Sequence, residues 1–274
     1  MLSQEQINEF NDQGYLVLDT GIPERILDDI VAQVGEAYPK EKLSAGVYRN
    51  GTRLPDAWKW NENVRRLAVL PDILEALETL FGRRPLPFQT INFPIGTQQR
   101  PHSDTIHFNS MPSGYMAGVW IALEDIDGDN GPLIYYPGSH RLPEYTMADA
   151  GLEPGYDNYH AYEEYILARI REHDLQPVAG TINKGQAIIW HANLLHGGAR
   201  HNDPARSRHS QVTHYFFAGC RYYTPMDSSA GQLKFRHPIW IPRRPLKQAY
   251  WTRARFAAFT AGQYARRMLG LDTR

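Results

Sequence analysis

The chain has 274 residues, a length that suits one large domain or two small ones. Its formal net charge is -1 and charged residues make up 22%, so the composition does not indicate binding to nucleic acid or to a membrane. A single cysteine, Cys220, excludes an internal disulfide and fits a reducing compartment. Residues 1–15 are polar and not of the signal-peptide type, and no apolar run reaches membrane-spanning length. These features predict a cytoplasmic globular protein.

The N-terminal third predicts helices and one strand. Ser3 and Gln6 have the spacing of a capping box, and Gly14 ends the first predicted helix. The apolar spacing that follows predicts, in chain order, a buried strand, a second helix opened by a proline and a third helix, over residues 15–18, 23–34 and 71–82.

From about residue 86 the pattern changes to short strand-like runs separated by turn signals. These runs cover residues 88–93, 117–123, 133–136, 186–190 and 210–217. Strands at this spacing predict a mostly β fold, a barrel or sandwich with the helical N-terminal third packed outside it. Nothing marks a linker, so we predict one domain over residues 1–274, divided into a helical flank, a barrel core and a C-terminal extension over residues 1–85, 86–220 and 221–274.

Two segments depart from the strand pattern. Residues 141–177 are irregular and rich in tyrosine and acidic residues, and a long excursion between barrel strands is often a functional lid. The stretch from Lys234 onward is basic. It predicts a terminal helix with an apolar set of Phe256, Phe259, Tyr264 and Met268. A solvated helix docked on the barrel explains this stretch more simply than a phosphate- or membrane-binding tail.

The triplet His102-Ser103-Asp104, together with the distant His196, is the candidate metal site. Two imidazoles and one carboxylate occupy one face of an iron(II) ion and leave its other positions open. Because His102 and Asp104 are two residues apart after a strand-like run, both side chains can point to the same face. A second triplet, His201-Asn202-Asp203, precedes a proline and is typical of a turn, so the first triplet is the stronger candidate.

The third metal ligand has a rival in His191. We favour His196, since Gly197 and Gly198 follow it and such small residues would let a bulky ligand approach the metal.

An arginine near the last predicted strand is expected to bind the far carboxylate of an organic acid co-substrate through a two-pronged contact. Arg208 is the first choice, because Ser210 shares its parity and adds a hydrogen-bond donor to the same carboxylate. Arg206 has the same parity but lies nearer the turn at Pro204. An arginine that pairs with a surface acid is the alternative reading.

Four motifs in order give the chain a resemblance to a known family. They are the opening segment, the triplet after Pro101, an Asn-Gly-Pro to Pro-Gly-Ser-His segment and a distal histidine segment, over residues 2–18, 101–104, 129–140 and 185–208. Together they resemble the phytanoyl-CoA dioxygenase family of iron(II)- and 2-oxoglutarate-dependent oxygenases over most of the chain. One departure from the family pattern is an extra residue between His196 and Asn202, so the arginine is counted from Asn202.

The resemblance implies a double-stranded β-helix, a jelly-roll or cupin-like barrel, with Fe(II) at one end. It implies that 2-oxoglutarate chelates this iron and that O2 is the oxidant. Gln89 and Asn92 resemble residues that line the co-substrate site in some members, and Lys59 and Thr105 are weaker candidates. Polar sheet and loop residues that are satisfied locally explain these four equally well.

The expected reaction is hydroxylation, or a related oxidation, of a C–H bond in a polar small molecule or natural-product intermediate, with release of succinate and CO2. Asp104 favours hydroxylation, since relatives that halogenate replace this carboxylate with a small residue. The acidic lid weakly opposes a CoA ester, and its tyrosines suit a ring-bearing or hydroxylated substrate. Candidate substrate contacts, for which packing is an equal explanation, are His107, Trp120, Tyr136, Arg200 and His214.

Two other classes of protein remain open. One is a barrel that binds metal and 2-oxoglutarate without turnover and acts as a sensor or binding module. The other is a structural or partner-binding protein, for which the basic C-terminal segment is the only support. The intact metal triad and arginine favour the enzyme.

Overall fold

The computed structural model describes residues 1–38 and 53–244, together with 261–263, 265 and 268. The α-helices are α1 (Gln4–Gln13), α2 (Glu24–Gly35), α3 (Glu62–Ala68), α4 (Pro71–Phe81) and α5 (Tyr159–Glu172). The strands of the first half are β1 (Tyr15–Asp19), β2 (Leu54–Pro55), β3 (Pro85–Phe93), β4 (Asn109–Met111), β5 (Met116–Ala122) and β6 (Leu133–Tyr135). The strands of the second half are β7 (Val178–Gly180), β8 (Gln186–His191), β9 (His196–Gly198), β10 (Ser210–Phe217) and β11 (Arg221–Tyr223).

The ends of two helices follow directly from their sequence. The Ser3 hydroxyl accepts from the Gln6 N–H and the Gln6 side chain accepts from the Ser3 N–H, so the predicted capping box forms at α1. Gly14 ends α1 in the left-handed region at φ 80°, and Gly82 ends α4 in the same way. These predictions are confirmed.

The main sheet has six strands in the order β1-β8-β5-β10-β3-β2, and each neighbouring pair is antiparallel. The five predicted strand-like runs correspond to β3, β5, β6, β8 and β10, with ends that differ by at most a few residues. Because β1 and β2 also belong to this sheet, it extends beyond the predicted core of residues 86–220. A smaller sheet has the order β7-β6-β9, and β4 pairs with β11.

The two faces of the main sheet pack against different partners. One face, with Val119 of β5 and Ile189 of β8, lies in a buried cluster with the apolar side chains of α1 to α4. The other face, with Trp120 and Ile188, packs against Tyr135 of the smaller sheet. Successive side chains of a strand point to opposite faces of the sheet. Alternate residues of each strand therefore face either the helices or the space between the two sheets. The candidate site lies on this second face.

Residues 141–177 are more ordered than the sequence predicts, because they contain α5. Tyr162, Ile166 and Ile170 lie four residues apart on one face of this helix and are buried against a cluster that includes Ile106 and Met226. The tyrosines and acids of the segment obscured this helical spacing in the sequence. The segment therefore packs beside the triplet, and its role as a lid stays a prediction.

The predicted C-terminal helix falls largely outside the described residues. Phe256, Phe259 and Tyr264 are outside them, residues 261–263 are helical, and Met268 is exposed. Across the described parts of the chain, each helix is too short or too polar to cross a membrane.

Replacing Ile166 with alanine should lower the free energy of unfolding by about 2–5 kcal/mol, because the side chain is fully buried in the α5 cluster. Denaturant-induced unfolding measures this change. Val178→Ala is the control, since Val178 is exposed and its truncation should change stability by less than about 0.5 kcal/mol. Equal stability of the two variants would show that α5 is not docked as described.

Candidate metal and co-substrate site

Two backbone hydrogen bonds bring the two candidate histidine ligands together. The His102 N–H donates to the His196 carbonyl and the His196 N–H donates to the His102 carbonyl, each over 2.9 Å. This antiparallel bridge places the two imidazole rings with their centroids 4.6 Å apart. Residues far apart in the chain thereby become neighbours at one point.

Hydrogen bonds to backbone carbonyls also set the orientation of both rings. His102 Nδ1 lies 2.9 Å from the Arg100 carbonyl and His196 Nδ1 lies 3.0 Å from the Leu194 carbonyl. A carbonyl only accepts, so each Nδ1 is the protonated nitrogen and each Nε2 keeps its lone pair. This is the arrangement that a metal-ligating histidine requires.

Asp104 completes the cluster. One ligand atom from each of His102, Asp104 and His196 lies within 4.8 Å of the others, and all three residues are buried. The Trp190 indole N–H donates to Asp104 Oδ2 over 2.8 Å, which leaves Oδ1 facing His196 Nε2 at 3.9 Å. A Cβ at Gly118 would lie 2.3 Å from the Trp190 ring, so a residue with a side chain at this position would clash with the indole.

The electrostatics of the cluster suit a cation. Burial and the neighbouring His196 lower the pKa of His102 to about 3, so its imidazole is neutral at physiological pH. Burial raises the pKa of the Asp104 carboxyl, but the surrounding imidazoles and the Trp190 N–H outweigh it and hold the pKa below its usual value. The neutral His102 imidazole, the His196 imidazole and the Asp104 carboxylate together form the ligand set of non-heme iron(II).

The triad and Arg208 line one cavity of about 370 Å³. Arg208 is 2% exposed, and no acid of the described residues forms an ion pair with it. Its Nη1 donates to Ser210 Oγ over 2.7 Å, whereas its buried Nε has no partner in the described part of the chain. Burial lowers its pKa to about 10, so the side chain stays charged. A buried cation without an ion-pair partner is costly, so Arg208 is suited to bind an anionic ligand next to the metal triad.

The structure brings together most of the predicted co-substrate residues but not all of them. Gln89 lines the cavity with Arg208, and its Oε1 accepts from His214 Nδ1 over 3.0 Å. Asn92 is not among the lining residues, and its amide donates instead to Gln211 on the opposite face of the sheet. The co-substrate role expected for Asn92 is therefore not supported, because an odd separation from Gln89 along β3 reverses the side chain.

The two weaker candidates also lie outside the cavity lining. The Lys59 ammonium pairs with Asp56 at 2.9 Å. Thr105 is buried and its hydroxyl is hydrogen-bonded to Ser103 and Asn193. Both are polar residues satisfied locally, which was the alternative explanation.

Three of the five predicted substrate contacts line the cavity. His107 and His214 lie near the triad, with His214 Nε2 3.9 Å from Asp104 Oδ2, whereas Trp120 lies against the Arg208 guanidinium at the co-substrate end. Tyr136 is instead packed in the α5 cluster, and Arg200 is exposed outside the cavity. The structure does not bring Tyr136 and Arg200 to the cavity, because neither follows the inward parity of a strand.

The rival ligands are placed elsewhere. His191 stacks on Phe81, away from the cavity, and burial lowers its pKa to about 4. Asp203 of the second triplet accepts from the Ala205 N–H in a turn, as predicted. Arg206 pairs with Asp127 at 2.8 Å on the surface.

The two glycines after His196 have a different purpose from the predicted one. A Cβ at Gly197 would lie 2.7 Å from the Gln99 carbonyl oxygen, and one at Gly198 would lie 2.8 Å from the Gln98 backbone nitrogen. The glycines therefore allow the backbone before His102 to approach β9. Gly197 also lines the cavity, so its predicted role of making room for a ligand stays a prediction.

Several lining residues were missed by sequence reasoning. Trp190 follows the parity of β8, which could have identified it, whereas the loop residues carry no periodic signal. Among the missed residues, those with polar groups that bear on the proposals below are Arg53, Gln99, Tyr156, Trp190 and Arg236.

Comparison with known structures agrees with this site. The chain superposes on the non-heme α-ketoglutarate-dependent epimerase SnoN of nogalamycin biosynthesis with a TM-score of 0.62 and 19% identity, covering 87% of this chain and 98% of SnoN. It superposes on EctD from S. alaskensis with bound Fe with a TM-score of 0.63 and 21% identity, covering 84% and 82% of the two chains. The sheet-rich fold is thus the cupin-like fold of non-heme iron oxygenases.

Comparison with known sequences agrees as well. The phytanoyl-CoA dioxygenase (PhyH) family model matches residues 10–210. A peroxisomal phytanoyl-CoA dioxygenase of Rattus norvegicus is 26% identical over 256 residues, which cover 84% of this chain and 72% of the rat protein. A probable phytanoyl-CoA dioxygenase of Caenorhabditis elegans is 31% identical over 228 residues, which cover 72% and 70%.

Fold and site together define an iron- and 2-oxoglutarate-dependent oxygenase. The chain belongs to the phytanoyl-CoA dioxygenase family. SnoN in a complex with Fe3+ and alpha ketoglutarate, and EctD with bound Fe or with 2-oxoglutarate, show this fold with those groups bound.

Replacing Trp190 with phenylalanine should weaken iron(II) binding about 10–100-fold, because it removes the N–H that holds Asp104 Oδ2 while keeping an aromatic ring in the cluster. Anaerobic equilibrium dialysis measures the affinity. Trp60→Phe is the control, since Trp60 is half exposed and far from the triad lining. Unchanged affinity in Trp190→Phe would rule out the positioning role.

Replacing Gly198 with alanine should weaken iron(II) binding and lower the free energy of unfolding by about 1–3 kcal/mol, because the new methyl group displaces the backbone at Gln98. Dialysis and denaturant unfolding report the two effects. Gly128→Ala is the matched control, since a Cβ there meets nothing within 4 Å. If the two variants behave alike, close approach of β9 does not hold the site together.

Proposed function

We propose that this enzyme hydroxylates, or otherwise oxidises, an unactivated C–H bond of a small molecule, with release of succinate and CO2. The observation that carries the proposal is the pairing, within one cavity, of the buried triad with the unpaired buried Arg208. A metal alone would explain the triad, and an organic acid alone would explain the arginine. Only a co-substrate that needs both explains their common cavity.

The residues of the triad have distinct tasks in this proposal. His102 Nε2, His196 Nε2 and Asp104 Oδ1 would hold the iron, because these atoms converge, and the iron would replace the Gln99 amide that donates to His102 Nε2 over 3.3 Å. Trp190 keeps Asp104 turned toward the metal position. Once bound, the iron and 2-oxoglutarate supply the oxidising chemistry with O2, and the protein orients the reactants and keeps water out.

Arg208 is proposed to bind the far carboxylate of 2-oxoglutarate. Ser210 fixes one guanidinium nitrogen, and the aromatic rings of Phe93 and Trp120 lie 5.6 and 5.3 Å from the guanidinium carbon. These neighbours hold the planar fork in a dry setting, where a bidentate contact to a carboxylate is strong. Gln89 belongs to the same wall of the cavity and positions His214.

The finer features of the fold belong to the same proposal. We infer that the six-stranded and three-stranded sheets are the two layers of a double-stranded β-helix, with the N-terminal helices packed outside a single domain. The buried cluster that lies between the sheets supports this arrangement. A cytoplasmic location is proposed from composition, whereas the rat relative is peroxisomal by name. A small molecule is the proposed partner, as for EctD in complex with 5-hydroxyectoine.

Replacing Arg208 with methionine should weaken 2-oxoglutarate binding by at least about thirtyfold, since truncating one partner of a buried charge pair costs roughly 2–5 kcal/mol. Anaerobic calorimetry with Mn(II) in place of iron measures this affinity without turnover. Arg206→Met is the matched control, because Arg206 lies on the surface and should leave the affinity unchanged.

Formation of succinate from 2-oxoglutarate in air, with iron(II) present, separates the enzyme from a binding module. The wild type should form succinate and His196→Ala should not. Tight 2-oxoglutarate binding with no succinate across a broad substrate panel would favour the sensor. No 2-oxoglutarate binding at all would exclude both.

A further inference from the structure

Two further arginines line the cavity besides Arg208. Arg53 and Arg236 both contribute to the lining, next to His107, Phe108 and Tyr156. Neither arginine forms an ion pair with an acid in the described ranges 1–38 and 53–244. Asp227 acts on Arg236 through space, but it is exposed and therefore screened by solvent.

The Arg236 guanidinium is fixed by hydrogen bonds from one of its nitrogens, and its other nitrogens remain available as donors. Its Nη1 donates to the His107 carbonyl over 3.2 Å and to Thr224 Oγ1 over 3.3 Å, and its guanidinium carbon lies 4.6 Å from the Phe108 ring centroid. Its Nε and Nη2 have no hydrogen-bond partner among the described residues. A fixed guanidinium with one free edge matches the two oxygens of a carboxylate.

The charges of the cavity support an anion beside Arg236. Asp104 is the only acid among the lining residues of the described chain. The charge of iron(II), Asp104 and Arg208 together is balanced by the two carboxylates of 2-oxoglutarate. The half-buried Arg236 and the exposed Arg53 then have no compensating acid in the cavity lining, and a neutral substrate would leave the Arg236 charge without a partner.

The acids of residues 141–177 do not cancel these cations, because none of them lines the cavity. Glu164 pairs with Arg100, and Glu163 lies 3.6 Å from His160 of the same helix. The segment instead contributes Tyr156, and the Tyr159 hydroxyl lies 3.2 Å from His107 Nε2. The acidic composition of the segment is therefore no guide to the charge of the substrate.

We propose that Arg236, assisted by Arg53, binds a carboxylate of the primary substrate, so that the enzyme acts on a small organic acid. The inference rests on the proposed function. The volume of about 370 Å³ is near the lower end for ligand pockets, and the same cavity must admit 2-oxoglutarate, which favours a compact substrate. The rings of His107, Phe108 and Tyr156 offer flat surfaces to its apolar body.

The test measures ligand binding rather than turnover. Protein loaded with Zn(II) and 2-oxoglutarate is titrated with small aromatic and aliphatic carboxylic acids, with the carboxamide of each acid and with phosphate monoesters of matched size, and ligand-observed NMR gives the affinities. At least one acid should bind about tenfold or more tightly than its carboxamide. Arg236→Gln should abolish this preference, and Arg53→Gln should reduce it severalfold.

Two further variants control the comparison. Arg66→Gln, at an exposed residue of α3, should keep the full preference of the wild type. Arg236→Lys keeps the charge without the planar fork and should retain part of the preference, which guards against a folding defect in Arg236→Gln.

Each outcome has a definite meaning. If no acid binds better than its carboxamide, or if Arg236→Gln keeps the preference, the inference is overturned. If phosphate monoesters bind and carboxylates do not, the assignment to a carboxylate is overturned. If the wild type fails to bind 2-oxoglutarate at the start, it is the proposed function that fails.

Discussion

The pair of backbone hydrogen bonds between His102 and His196 is the constraint on which the site depends. It joins the segment before the triplet to β9 of the smaller sheet and places two metal-ready imidazoles side by side. Gly197 and Gly198 make the approach possible, because any side chain there would collide with the opposing backbone. The contact between β9 and the segment at His102 therefore also forms the metal site.

The main sheet supplies the remainder of the site through its period of two. Alternate residues of β5, β8 and β10 pack against the helices, and the intervening ones face the space between the sheets. Trp190 belongs to the apolar cluster there and also donates to Asp104. The same side chain therefore serves both packing and ligand orientation, so stability and chemistry are coupled in this part of the fold.

The parts of the site that follow from residue type and strand parity were predictable from the sequence. The three triad residues come together as expected, although Asp104 begins a short 3-10 helix and does not lie in a strand. Arg208 lines the same cavity and donates to Ser210, which shares its parity but is not among the lining residues. Asn92 does not line the cavity, although its odd separation from Gln89 already indicated the opposite face.

Other parts of the fold and of the site could not be predicted from the local sequence pattern. Helix α5 was hidden by aromatic and acidic residues, and its apolar face is visible only as a spacing of four. Arg53 and Arg236 lie in loops, and only the tertiary fold brings them to the cavity. Their free charge changes the expected substrate from a merely polar molecule to an acid.

The cavity therefore brings the triad together with Arg208 and with two further arginines, Arg53 and Arg236. The most direct measurement is a crystal structure of the protein grown anaerobically with iron(II) and 2-oxoglutarate. It should show iron on His102, Asp104 and His196, with a carboxylate of 2-oxoglutarate on Arg208 and Ser210. Iron on other residues, or an Arg208 that contacts no carboxylate, would contradict the central claim.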